Sequence, residues 1–284
     1  MEGESRQTNV LSPQNVVTLA NLASGVGALL LSVSAVLHDD PMRLYQAALW
    51  IVLATVLDAV DGKLARMTGT ASPLGAQLDS LADAVTFGVA PVVVASTLVQ
   101  LAGDDFGIHM HPRLLVVAPI IYACCAVLRL ARFNVDHAEA DQLRGHDRFR
   151  GLPTPGAAGV PVGLTLAYFG IVDTKLFDLT PSTLWAVQSV ILTLTPFLIL
   201  AMAMLMVSRV PYPHFFSWMT RSTSPVNTLA KFVVVLGLLL LEPEIALLAA
   251  ALLFAFVPPL LMVPRRLRAA RRRRSGSGPG GGGA

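Results

Sequence analysis

Apolar residues in this chain gather into runs of about 20, broken by short polar stretches. Eight runs follow one another, centred near Val26, Ala54, Ala90, Val127, Leu164, Thr195, Val235 and Phe254. A helix needs roughly 20 apolar residues to cross about 30 Å of hydrocarbon. The pattern therefore predicts an all-α polytopic membrane helix bundle of about eight transmembrane helices. The runs take up nearly the whole chain, which predicts one membrane domain over residues 1–264 and no separate soluble domain. Residues 265–284 read as a basic and then Gly/Ser-rich disordered tail. The first run follows a mixed-charge stretch without a basic n-region or small-residue cleavage site, so it is expected to stay as the first helix.

Composition agrees, since 54% of the 284 residues are hydrophobic and 14% charged, far from the balance of a water-soluble domain. Charge placement adds an orientation. With the amino terminus inside, only Arg43, Arg113 and Lys175 fall outside, against eighteen basic residues inside, including Arg144, Arg148, Arg150 and the run Arg265 to Arg274. The positive-inside rule then predicts both termini in the cytoplasm and an even number of spans. The basic run directly follows a membrane helix, which favours an anionic-lipid anchor over a nucleic-acid patch. Cys124 and Cys125 are neighbours within one apolar run, where adjacent side chains diverge by about 100°, and read as packing residues.

Four carboxylates do not belong in such a chain. Asp58 and Asp61 lie in the second run, and Asp79 and Asp83 in the third. An ionised Asp near mid-membrane costs ~2.5–3.5 kcal/mol, so four without partners would oppose the fold by on the order of 10 kcal/mol. Spacings of three and four place each pair on one helical face. The short turn from Met67 to Pro73 predicts antiparallel neighbours whose acidic faces oppose. Lys63 and Arg66 are too few to neutralise them. Clustered carboxylates without Cys or His suit magnesium or manganese, and four can bridge two such ions. Gly62, Ala65 and Gly75 beside the acids give low relief for a ligand, and Arg66 offers a planar fork for phosphate. Close helix packing is an alternative use of the small residues, and a proton relay an alternative use of a lone Asp.

Read as one string, Asp58-x-x-Asp61-Gly62-x-x-Ala65-Arg66, eight further residues, then Gly75-x-x-x-Asp79-x-x-x-Asp83 resembles the signature of the CDP-alcohol phosphatidyltransferase family. The resemblance implies that Asp58, Asp61 and Asp79 hold one divalent ion. Asp58, Asp79 and Asp83 would hold a second, with Asp83 also the general base. It implies contacts to the CDP-lipid from Gly62, Ala65, Arg66, Ser72 and Gly75, and from Asn15 in the stretch Pro13-Gln14-Asn15-Val16. A homodimer is implied too.

Three further segments are similar to those of multi-span phosphatidylserine synthases: Arg129-Leu130-Ala131-Arg132-Phe133-Asn134, Gly151-Leu152-Pro153-Thr154-Pro155-Gly156, and Met206 to Pro213. They imply acceptor contacts from Arg129, Arg132, Asn134 and Ser208. The expected reaction is CDP-diacylglycerol plus L-serine giving phosphatidylserine and CMP. Glycerol 3-phosphate or inositol phosphate is the alternative acceptor. Membrane lipids are expected partners and nucleic acid is not. A transporter is the competing class, but the aspartate pattern has no repeat in the second half of the chain.

Overall fold

The computed structural model describes residues 12–68, 73–143, 151–173, 180–212 and 242–275. The elements among them are all helical: α1 (Pro13–His38), α2 (Met42–Thr68), α3 (Pro73–Thr86), α4 (Ala90–Ala102), a short 3-10 turn (Asp104–Phe106), α5 (Pro112–Leu143), α6 (Thr154–Asp173), α7 (Pro181–Val207) and α8 (Pro243–Ser275). Six described segments are long and apolar enough to cross a membrane: Pro13–His38, Leu74–Ala102, Pro112–Asp136, Thr154–Val172, Pro181–Val207 and Pro243–Leu261. The chain is thus a multi-pass membrane protein. The run centred near Val235 lies outside the described residues. The run near Ala54 forms α2, which is not among the six and carries Arg43, Asp58, Asp61 and Lys63 along its 27 residues. The backbone of α8 stays helical past its apolar span and through residues 265–275.

Helix α1 begins at Ser12, whose Oγ accepts the Asn15 N–H at 3.3 Å, with Pro13 pre-set in the first turn. Its buried face is unusual for a membrane helix. Asn15, Thr18, Asn21, Ser24, Gly25, Ala28, Ser32 and Ala35 all turn inward, while Leu30, Val33 and Leu37 stay exposed as a lipid-facing surface would require. Small inward residues let α1 lie close against both α2 and α3. The tightest approach is at Gly25, where an added Cβ would stand 2.8 Å from the Thr86 Cα and closer still to its hydroxyl. Gly25→Leu is therefore expected to destabilise the bundle by about 1–3 kcal/mol through overpacking. A lower melting temperature in detergent would check it, and an unchanged one would contradict the close packing.

Helix α2 shows why its acids are where they are. Leu44, Ala47, Ala48, Ile51 and Ala54 form its buried stripe, and the same i, i+3, i+4 progression leads on to Asp58 and Asp61. The opposite face, with Trp50, Leu53, Val56 and Val60, is exposed. Near the start of α2, about 20 Å from the acids at 1.5 Å per residue, the Tyr45 hydroxyl donates to Glu244 Oε1 at 3.0 Å. Tyr45, Phe169, Tyr168, Phe106 and Trp185 make a chain of ring contacts there. One end of the bundle is aromatic and the other acidic.

The run near Ala90 spans Leu74–Ala102 but is built as two helices, with a break at residues 87–89. Pro91 has no N–H to donate to the Phe87 carbonyl one turn earlier. The fully buried Tyr122 on α5 supplies the missing donor, its hydroxyl meeting that carbonyl at 3.2 Å. On the other side of the break the Asp83 carbonyl accepts two N–H groups, from Phe87 at 2.9 Å and Gly88 at 3.1 Å. Irregular backbone at membrane depth is tolerated when its polar groups find partners in this way.

Candidate active site

The acidic ends of α2 and α3 come together. Carboxylate oxygens of Asp58, Asp61 and Asp79 lie within 4.8 Å of one another. Asp83, one turn beyond Asp79, is close enough to interact electrostatically with all three. Asp61 and Asp83 are buried and the other two half-buried. Ionised carboxylates at such spacing repel by about 3 kcal/mol per pair at an effective dielectric constant of ~20. None of the ion pairs among the described residues includes these four, and Lys63 is exposed. Asp79 Oδ1 and Asp83 Oδ1 are buried without a hydrogen-bond partner among the described residues. An all-oxygen donor set with unmet acceptors and no His or Cys fits a hard divalent cation.

Along the described residues α2 and α3 make little direct contact, and α1 fills the angle behind them by packing on both. The acids of α2 and α3 nevertheless meet through their side chains. Among the described residues, a Cβ added at Gly62 would meet nothing within 4 Å, which leaves room beside Asp61. Gly75 is buried. Ala65 and Arg66 belong to the last turns of α2, with side chains outside the described residues, and Ser72 lies outside them altogether.

From α1, the buried Thr18 hydroxyl donates to Asp61 Oδ2 at 2.7 Å, and the buried Asn21 side chain lies beside Asp83. Asn15, one turn before Thr18, is also buried. Asn15 is among the residues expected from the sequence, and Thr18 and Asn21 are not. Polar residues at steps of three in an otherwise apolar run are the signal that marks them. Tyr122 carries no such signal, because its partner is a carbonyl freed by Pro91 on another helix.

The residues expected around the acceptor separate. Arg129 on α5 is half-buried, donates from Nη1 to the Thr154 hydroxyl at 2.7 Å, and lies near Asp83. Its guanidinium carbon stands 5.8 Å from the Phe133 ring centroid. Arg132 is exposed and turned to Asp136, with Nε 3.7 Å from Oδ2. The Asn134 amide bonds the hydroxyl of Ser80, the residue after Asp79, at 3.0 and 3.1 Å. Ser208 caps the end of α7, its hydroxyl donating to the Leu205 carbonyl at 2.7 Å. The segment before α6 is tied to that cap: Gly151 N–H donates to the Val210 carbonyl at 2.8 Å, and Leu152 N–H to the Leu205 carbonyl at 3.1 Å. Gly151 has φ 93°, a backbone conformation that favours glycine. This tie sets the start of α6, and with it Thr154 under Arg129.

Residues 13–172 match the family model described as CDP-alcohol phosphatidyltransferase. The chain is also similar to proteins named CDP-diacylglycerol–serine O-phosphatidyltransferase. One from Helicobacter pylori is 34% identical over 169 residues, 59% of this chain and 61% of the relative. One from Methanocaldococcus jannaschii is 32% identical over 154 residues, 54% of this chain and 60% of the relative. One from Saccharomyces cerevisiae is 32% identical over 151 residues, 52% of this chain and 51% of the relative. The matched part thus spans between half and two thirds of these curated relatives.

Proposed function

Because the chain belongs to the CDP-alcohol phosphatidyltransferase family, we propose that it transfers the phosphatidyl group of CDP-diacylglycerol to L-serine, giving phosphatidylserine and CMP. The observation that carries this reading is the meeting of Asp58, Asp61 and Asp79 within 4.8 Å, with Asp83 beside them. The choice of serine is supported by the names of the relatives.

In this reading Asp58, Asp61 and Asp79 would hold one divalent ion, and Asp58, Asp79 and Asp83 would hold a second. Magnesium or manganese bound there would supply positive charge to the diphosphate oxygens. The Asp83 carboxylate takes the serine hydroxyl proton as the oxygen attacks the lipid-bearing phosphorus. The bond to CMP breaks and CMP leaves. Arg129, held by Thr154, would attract the serine carboxylate; Arg132, Asn134 and Ser208 are the further acceptor residues this reading names. Asn15, Gly62, Ala65, Arg66, Ser72 and Gly75 would border the nucleotide and diphosphate.

The same reading places eight spans in the cell membrane, both termini and the acidic end in the cytoplasm, and two copies in a homodimer. Residues 1–264 form the membrane domain, and residues 265–284 a tail against anionic lipid. The test uses purified protein in lipid nanodiscs with labelled CDP-diacylglycerol, magnesium or manganese, and each alcohol separately. CMP release with L-serine is the expected result. Release with glycerol 3-phosphate or inositol phosphate but not serine would overturn the acceptor. No release with any alcohol would favour a transporter.

A further inference from the structure

Hydroxyl side chains in membrane helices usually turn back to the carbonyl four residues earlier. Thr55, Thr165, Thr193 and Thr195 do so here, at 2.7–3.0 Å. Thr18 departs from that habit. Its Oγ1 reaches the Gln14 carbonyl at 3.1 Å, but it also stands 2.7 Å from Asp61 Oδ2, on a helix 43 residues away in sequence. A hydroxyl has one proton to give. The shorter contact goes to a carboxylate, and charge-assisted hydrogen bonds are the stronger kind, so the proton belongs to Asp61.

We propose that Thr18 is a positioning residue that fixes the Asp61 carboxylate for divalent-cation binding. The proposal rests on the reading of the acidic cluster as a metal site. Thr18 is fully buried, so it acts through Asp61 and not on the substrate. The Asp terminal torsion is broad and roughly two-fold, and repulsion from Asp58 and Asp79 would swing an unrestrained Asp61 carboxylate out of the cluster. A hydrogen bond to one oxygen stops that rotation. Helix α1 cannot drift from this contact, because Gly25 holds it against Thr86 two turns further along. Partners that orient metal ligands in this way typically contribute 10–100-fold to affinity.

The experiment measures Mn2+ binding to the full-length protein in detergent, without CDP-lipid, by the loss of the free-ion electron paramagnetic resonance signal. Thr18→Val keeps the branched shape and removes the hydroxyl, and should raise the Mn2+ Kd 10–100-fold. Thr18→Ser keeps the hydroxyl and should stay within about threefold of the unsubstituted protein. Equal affinity for Thr18→Val and the unsubstituted protein would overturn the proposal, as would a Thr18→Ser as weak as Thr18→Val. If Thr18→Val does not fold, Thr18→Ala replaces it in the same comparison. If the unsubstituted protein itself binds no Mn2+, the metal reading fails, which is a separate outcome.

Discussion

Asp83→Asn is expected to lower CMP release from CDP-diacylglycerol by at least about 10²-fold while leaving the protein folded. A positioned general base contributes roughly 10²–10⁴-fold, and Asn keeps the shape of Asp without accepting a proton. The local structure argues that the fold tolerates the change. Asp83 is buried among Asp58, Asp61 and Asp79, with one carboxylate oxygen lacking a hydrogen-bond partner among the described residues. Neutralising it removes like-charge repulsion, so the metal-free melting temperature should hold or rise. Its backbone role is untouched, because the two N–H groups at the helix break bond its carbonyl and not its side chain. Turnover within tenfold of the unsubstituted protein would remove Asp83 from the base role. A collapsed melting temperature would make it a structural residue.

The second large effect is expected at Asp58. It is near Asp79 and Asp61 within the cluster and also interacts with Asp83, so it is the acid of α2 that both proposed ions share. Asp58→Asn should weaken Mn2+ binding by at least about 100-fold, beyond the 10–100-fold typical of a residue that merely orients a ligand. Activity should fall in parallel and recover little with added metal. Metal-free stability should again hold or rise, since each ionised pair costs about 3 kcal/mol at an effective dielectric constant of ~20. The comparison to make is the metal-induced rise in melting temperature, which the variant should lose. A variant that keeps both that rise and its Mn2+ affinity would show that the cluster does not depend on Asp58.

Much of the site was legible along the chain because helical periodicity is local. Asp58 and Asp61 continue the buried stripe of α2, and Asp79 and Asp83 stand one turn apart on α3, so each pair could be assigned to one face before any packing was known. Arg129 and Arg132 show the limit of that reasoning. Their spacing of three puts them on one helical face, yet Arg129 turns in to Thr154 while Arg132 stays outside with Asp136. A long side chain takes whichever partner is within reach, and Thr154 arrives from a helix whose start is fixed by backbone bonds to the end of α7. The break after Asp83 follows from Pro91, which lacks the N–H that would bond the Phe87 carbonyl, but its tolerance depends on Tyr122, which belongs to another helix.

The sequence by itself determined the helical membrane class, the faces that carry the acids and the chemistry those acids favour. These follow from run length, from periodicity and from the high cost of unpartnered charge in hydrocarbon. Only the tertiary structure decided how the faces meet. Helix α1 packs on both acidic helices, and the acids of α2 and α3 meet beside it. The bond from Thr18 to Asp61 closes over 43 residues. Contacts of that kind depend on how each helix is rotated and how closely small residues let it approach, and both are properties of the pair of surfaces, not of either sequence segment alone.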